Sequence, residues 1–326
     1  MNIDVYFPLL VHWIALALFF CQIILVFRKW YKTSIVFVVI LLFLNFHWRI
    51  FSVHFGSIEE PKGKDKLRVM TWNICCADST GTDDMGGILS AILEQDADVV
   101  FLTEYSIAYA PAIDSMMCEH YRFKGGFDNT ISGGELYSRF PIDTCRHIGV
   151  NEKDCIYKYE VNYNGDRVDI NSVHLQSNNL VGDESFYPDS ISDRNGIVRY
   201  LENYKTAAEI RREQAELLVS DFSETSTIVM GDMNDVCGSP CMKVFAEAGL
   251  RDAWWDAGSG YGATFHKTLA YRIDHVMYGW PPSTSLRNRG SKFQKVSKGF
   301  KLIGIKKVSA NGLSDHDALV ADFVIK

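Results

Sequence analysis

The chain has 326 residues, 13% of them aromatic, and a formal net charge of −7, a length that suits one large domain plus an appendage. Arg28, Lys29, Lys32 and Arg49 against Asp4 alone leave residues 1–58 at +3 and the remainder at −10. An acidic soluble part lacks the Lys/Arg surface that polyanions require, which disfavours duplex DNA as a partner.

Tyr6 to Phe27 carries no charge and is long enough to cross a bilayer core, which takes roughly 20 residues. The basic knot Arg28-Lys-Trp-Tyr-Lys32 follows, then a second, shorter apolar run from Ser34 that includes Asn45 and His47. The length of the first run, the presence of a second and the lack of a small-x-small site argue against a cleaved signal peptide. A two-helix membrane hairpin over residues 1–56 is expected. The alternative for the second run is a membrane-surface or buried helix. The positive-inside rule places the basic knot in the cytoplasm and everything after the hairpin outside it.

A polar link, 57–66, leads into a regular domain, 67–326. Leu67–Ile74 alternates like a strand, and Thr82 or Asp83 can cap a helix whose apolar face is Ile88, Leu89, Ile92 and Leu93. Ala97–Glu104 reads as a buried strand with a carboxylate at its exit. Further strands are expected in "ELYSRFPI", "YKYEVNYNGDRVDINSVHL", "STIVMGDMND", "YRIDHVMYG" and "HDALVADFVI", with a helix from about Ile197 to Phe222. Strands outnumber helices, and the helices fall between strand groups, which suggests two packed sheets with helices outside. Of eight cysteines, Cys237 and Cys241 are close enough in sequence to bridge, and Cys118, Cys145 and Cys155 are further candidates. Buried free thiols are the alternative. No pair of CxxC motifs suggests zinc.

The chemistry-bearing residues fall where apolar strands run out: Asn73, Glu104, His174, Asp232 with Asn234, Asp274, and Asp315 with His316. In a layered sheet protein, strand ends on one side gather into one cleft. Glu104 and Asp315, with Asn73 nearby, are hard oxygen ligands suited to Mg²⁺ or Mn²⁺. Asp232 suits a general base on water. His316, if held by Asp274, stays protonated and oriented toward a phosphate, and His174 offers a second imidazole. Metal-binding carboxylates with cationic imidazoles for an oxyanion equip metal-assisted phosphoester hydrolysis. No GxSxG elbow, Walker loop or GxGxxG fingerprint competes.

The series "TWNI", "ADVVFLTE", "YSRFPI", "NSVHLQS", "GDMND", "YRIDHV" and "LSDHDAL" resembles the successive motifs of the endonuclease/exonuclease/phosphatase superfamily, over roughly Leu67 to Lys326. The resemblance implies a DNase I-like four-layered α/β sandwich and a Mg²⁺- or Mn²⁺-dependent phosphoric ester hydrolase. It implies metal binding by Glu104 and Asp315 with Asn73 near metal and phosphate, and water activation by Asp232. Asn234 would orient the phosphate, His174 would support the phosphate or leaving group, and Asp274 would pair with His316. Asp317 is an extra carboxylate outside this set. Cys75 and Cys76 stand where DNA-repair members carry a polar or acidic residue. Ser177 to Asn195 is acidic and suits a lid. The hairpin resembles that of anchored bacterial members, with the catalytic domain outside the inner membrane. The expected substrate is a lipid-derived or small phosphoester. The alternatives are an extracytoplasmic Mg²⁺-dependent nuclease and a non-catalytic scaffold of the same fold.

Overall fold

The computed structural model describes residues 3–52, 66–75, 84–105, 110–126, 133–149, 155–179, 194–223, 225–266, 270–280 and 300–325. Two long helices come first, α1 (Ile3–Phe27) and α2 (Tyr31–Trp48), antiparallel neighbours joined by a tight turn in which Lys29 takes a positive φ. The domain that follows is built on two six-stranded sheets.

The first sheet holds β1 (Lys66–Asn73), β2 (Val99–Tyr105), β3 (Phe123–Gly126), β4 (Gly133–Ser138), β11 (Phe300–Val308) and β12 (Ala318–Ile325), ordered β11-β12-β1-β2-β4-β3. The second holds β5 (Ile142–His147), β6 (Cys155–Tyr163), β7 (Asp166–His174), β8 (Ser226–Asp232), β9 (Arg251–Asp252) and β10 (Asp274–Gly279), ordered β5-β6-β7-β8-β10-β9. Each sheet has one parallel pair at its centre, β1 with β2 and β7 with β8. A parallel pair needs a long crossover, and here α3 (Met85–Leu93) and α5 (Arg194–Ser220) supply it.

Side-chain parity explains the layering. In β1, Leu67 and Val69 face the other sheet, while Met70 and Trp72 face outward. Ile88 and Ile92 of α3, with Ile113 and Met117 of α4 (Ala110–Cys118), cover that outer face. On the second sheet, Ile228 and Met230 point inward, and Val229 points out against Ala215 and Leu218 of α5 and Phe245 of α6 (Pro240–Glu247). The result is helix–sheet–sheet–helix, the expected four-layered sandwich. Each fully buried large apolar side chain between the sheets contributes about 1.5–3 kcal/mol of transfer free energy.

Several expectations shift. The cap of α3 is Asp84, whose carboxylate accepts from Gly87 N at 2.7 Å; Thr82 and Asp83 lie outside the described residues. The cysteines considered for bridges, Cys118, Cys145, Cys155, Cys237 and Cys241, are all free thiols. Cys237 donates to Asp252 and Cys241 to Asp235, so neighbours in sequence serve different partners. Most of the acidic stretch 177–195 also lies outside the described residues.

Candidate active site

Four of the polar strand-end residues reach one cleft by parity alone. Asn73 continues the inward face of Leu67 and Val69, His174 that of Val168 and Ile170, and Asp232 that of Ile228 and Met230. Asp274 opens β10 on the same face as Val276 and Tyr278. Parity would send Glu104 outward with Val100 and Leu102. A register shift between Thr103 and Tyr105 interrupts β2 there, and Glu104 takes a φ of +55°. The bulge turns the carboxylate back toward the cleft, a local backbone strain spent on aiming one side chain.

Contacts then run across the two sheets. Asn73 Nδ2 donates to Asp232 Oδ2 at 3.1 Å. His174 Nε2 lies 3.1 Å from Glu104 Oε1, a close charge contact without hydrogen-bond alignment, and 3.9 Å from Asp232 Oδ2. His316 Nδ1 meets Asp274 Oδ2 at 2.8 Å, leaving Nε2 3.9 Å from Asp232 Oδ2. Asp232 thus sits between two imidazoles. Its other oxygen accepts from Asn234 N at 2.7 Å, and Asn234, with φ +51°, donates through Nδ2 to Leu175 O. The loop after β8 therefore fixes the rotamer of Asp232.

The charges follow from these contacts. Burial, with Asp274 second, pushes the Asp232 carboxyl up to about 6 against the pull of both histidines. Burial would lower His316, but Asp274 outweighs it and raises the imidazole to about 10. Burial also opposes charge on His174, and Glu104 outweighs it, so that imidazole is raised. Glu104 goes the other way: burial would raise it, and His174 and His316 hold it down at about 2. The site thus sets two imidazoles shifted toward their charged forms against carboxylates.

Sequence reasoning missed the supports. Ser314 Oγ donates to Asn73 O at 2.7 Å and accepts from His316 N at 3.1 Å, and Trp72 Nε1 donates to His316 O at 2.8 Å. The residues leading into β12 are thereby tied to the end of β1. The Phe265 ring lies 4.9 Å from that of His316. Gly231 is required by close approach: with φ +140°, a Cβ there would lie 1.9 Å from Val173 O and force β8 off β7 beside the His174–Asp232 pair. Asp317, left outside the site, is a structural carboxylate that accepts from Lys307 Nζ and Ala310 N.

For a divalent cation, the fit rests on oxygen donors. Oδ1 of Asp274 and Oδ1 of Asp315 are buried without any hydrogen-bond partner. Glu104 and Asp232 add carboxylates, and Asn73 Oδ1 accepts from Cys75 N with one lone pair, leaving the second. Such hard donors suit Mg²⁺ or Mn²⁺.

The profile of the Endonuclease/Exonuclease/phosphatase family matches residues 70–316, the span that contains this cleft. The chain belongs to that family. No curated protein matches it by sequence. Among solved structures, humanized D. rerio TDP2 is similar over 79% of this chain and 99% of its own, at 17% identity and a TM-score of 0.56. An endonuclease/exonuclease/phosphatase from Beutenbergia cavernae covers 80% of this chain and 72% of its own, at 19% identity and a TM-score of 0.55. The human Nocturnin catalytic domain, with bound sulfate, covers 80% and 94% at 19% identity and a TM-score of 0.52. These likenesses show the DNase I-like fold. Family membership supports a phosphoesterase- or nuclease-type hydrolase, and the family generally uses a divalent metal.

Proposed function

We propose that this family member is a membrane-anchored, Mg²⁺- or Mn²⁺-dependent phosphoester hydrolase acting on a lipid-derived or small phosphoester near the bilayer. The observation that carries the reading is the buried, Asn-oriented Asp232 between two histidines, each set against a carboxylate of its own. In this reading Glu104 and Asp315, with Asn73, hold the metal, which when bound supplies charge to polarise the phosphate. Asp232 takes the proton of the attacking water, and Asn73 and Asn234 keep its oxygens aimed. His316, braced by Asp274, donates to a phosphate oxygen, and His174 supports a second oxygen or the leaving group. A positioned base or oxyanion donor typically contributes on the order of 10²–10⁴-fold.

The anchor rests on α1 and α2. Val5–Phe27 and Tyr31–Trp48 have mean hydropathies of 2.5 and 1.5, and in an apolar 18-residue window of each only 6% and 11% of residues are buried, unlike a core helix. The basic turn between them supports an orientation with that turn in the cytoplasm and the catalytic domain outside.

The test is hydrolysis of bis-p-nitrophenyl phosphate by the full chain in detergent. Turnover abolished by EDTA and restored by Mg²⁺ is expected, with Asp232→Asn losing at least about 10²-fold at unchanged thermal stability. Near-normal turnover in Asp232→Asn would sink the mechanism. Nicking of supercoiled plasmid in preference to small phosphoesters would favour the nuclease reading.

A further inference from the structure

Most residues of the two apolar helices are exposed or half-buried, yet one end of the hairpin grips the catalytic domain at defined points. Tyr6 OH donates to Leu201 O at 3.0 Å, and Val5 packs with Tyr204 and Ala208 of α5. Trp13 Nε1 donates to Tyr271 OH, and the His12 ring lies 5.6 Å from that of Tyr261. From α2, the Phe46 ring lies 6.1 Å from Trp255. Trp48 presses on Gly238, where a Cβ would come within 2.7 Å of the indole. Ser52 and Gly260 then exchange two backbone hydrogen bonds, at 3.1 and 2.8 Å. The hairpin is a docked part of the domain.

Helix length turns this docking into a depth. A bilayer core of about 30 Å takes roughly 20 helical residues at about 1.5 Å each. Counted back from Phe27, the last residue before the basic turn, that length reaches Pro8. His12 and Trp13 then lie within the outer part of the core, one to two turns from its boundary. At the end of α2, Phe46 lies at the same level. The domain residues that touch them, Trp255, Tyr261 and Tyr271, must therefore sit at the acyl–headgroup boundary. Aromatic residues with one polar atom are suited to that zone.

The cleft is one step away. Tyr271 is bridged to Phe265, and Phe265 is bridged to His316 and packs on its ring. We propose that the half-buried Trp255–Tyr261 edge, backed by the buried Tyr271, seats the catalytic domain in the outer interface of the bilayer. The cleft then opens at headgroup depth and takes headgroup phosphoesters of lipids still in the membrane. The bilayer is the occupant because the edge is continuous with two helices that expose a long series of large apolar side chains, among them Leu16, Phe19, Phe20, Ile24, Phe43 and Phe46. The substrate half of this proposal rests on the hydrolase reading above; the seating rests only on the anchor reading.

The experiment uses the full chain in mixed phospholipid vesicles that include phosphatidylcholine with a diazirine on the acyl carbons next to the glycerol ester. Adducts are mapped by mass spectrometry after illumination. Adducts at Trp255 and Tyr261 are expected beside those on the hairpin, with none at the Asn164–Gly165 turn, which lies at the far end of β7 from His174. Adducts confined to α1 and α2 would overturn the seating. The same vesicles are compared with the water-soluble deacylated headgroup compounds of their lipids. Faster hydrolysis in the vesicles is expected. Equal hydrolysis, or hydrolysis of neither by a chain that turns over bis-p-nitrophenyl phosphate, would overturn the substrate class. Failure on bis-p-nitrophenyl phosphate itself would instead remove the hydrolase reading and leave the adducts to decide the seating.

Discussion

Asp274→Asn isolates the bracing of His316 from the role proposed for His316 itself. The pair is buried, with Asp274 1% and His316 5% exposed, and the contact is 2.8 Å. Burial works against the imidazolium, and Asp274 is the first influence that reverses it, bringing His316 from 6.5 to about 10. That rise corresponds to about 5 kcal/mol in favour of the cation. Asparagine keeps the shape and one acceptor but removes the charge, so most of that preference is lost. With a singly hydrogen-bonded, weakly charged imidazole in place of a fixed cation, turnover of bis-p-nitrophenyl phosphate should fall roughly 10²–10³-fold. His316→Ala should fall at least as far. The decisive measurement is the double variant. If Asp274 acts through His316, Asp274→Asn combined with His316→Ala should be no slower than His316→Ala alone, a strongly non-additive cycle. Thermal melts of all four proteins control for stability, since breaking a buried pair by removing one partner costs about 3–5 kcal/mol. Losses that multiply in the double variant would refute the bracing role and assign Asp274 a separate function in the cleft.

The cluster behind the site makes stability depend on pH. His275 is fully buried, accepts from Arg272 Nη1 through Nδ1 at 2.8 Å and faces Asp235 O through Nε2 at 2.9 Å; burial, then Arg272, lower it to about 4. The unfolded imidazole takes its proton near pH 6.5 and the folded one only near 4, so this residue's stability contribution is full above 6.5 and falls by about 3 kcal/mol as pH drops to 4. His275→Gln can accept from Arg272 and donate to Asp235 without titrating. The stability difference between wild type and this variant should therefore shrink or invert from pH 7 to 4.5, and a constant difference would refute the assignment. Topology is tested with a membrane-impermeant thiol reagent on intact cells, in a background where the exposed free Cys118 and Cys145 are serine: it should miss Tyr31→Cys and reach Gly63→Cys, and the reverse pattern would move the catalytic domain inside.

The sequence displayed the site more fully than the fold around it. Asn73, His174, Asp232 and Asp274 were legible because an alternating strand assigns each last residue to a face, and that face was visible in the apolar residues before it. Glu104 was legible only as a carboxylate at a strand exit, since its aim depends on a bulge that no residue type announces. Phe300–Val308 was overlooked as a strand because a register shift between Leu302 and Gly304 leaves its inward residues, Leu302 and Ile305, three apart among three lysines. Gly231 stood in plain sight within "GDMND", but its reason, the approach of Val173 O, exists only once β7 and β8 are paired. The free state of Cys237 was likewise unreadable: its neighbours in space, Asp252 and Arg272, are 15 and 35 residues away in sequence.

The contacts that define the cleft share one property. Asn73–Asp232, Glu104–His174 and His316–Asp274 each join the first sheet, or the residues leading into it, to the second. Neither sheet holds a complete set: one contributes Asn73, the half-buried Glu104 and His316, the other the buried Asp232, His174 and Asp274. The distance between opposing residues is fixed by the side chains packed behind them, Val69, Phe101, Ile170, Met230 and Leu319, all fully buried. Interiors at close-packed density transmit small changes in volume, so the interlayer core acts as the spacer of the active site. The chemistry is therefore a property of the packed pair of sheets, and the polar residues could not form this cleft on either sheet alone.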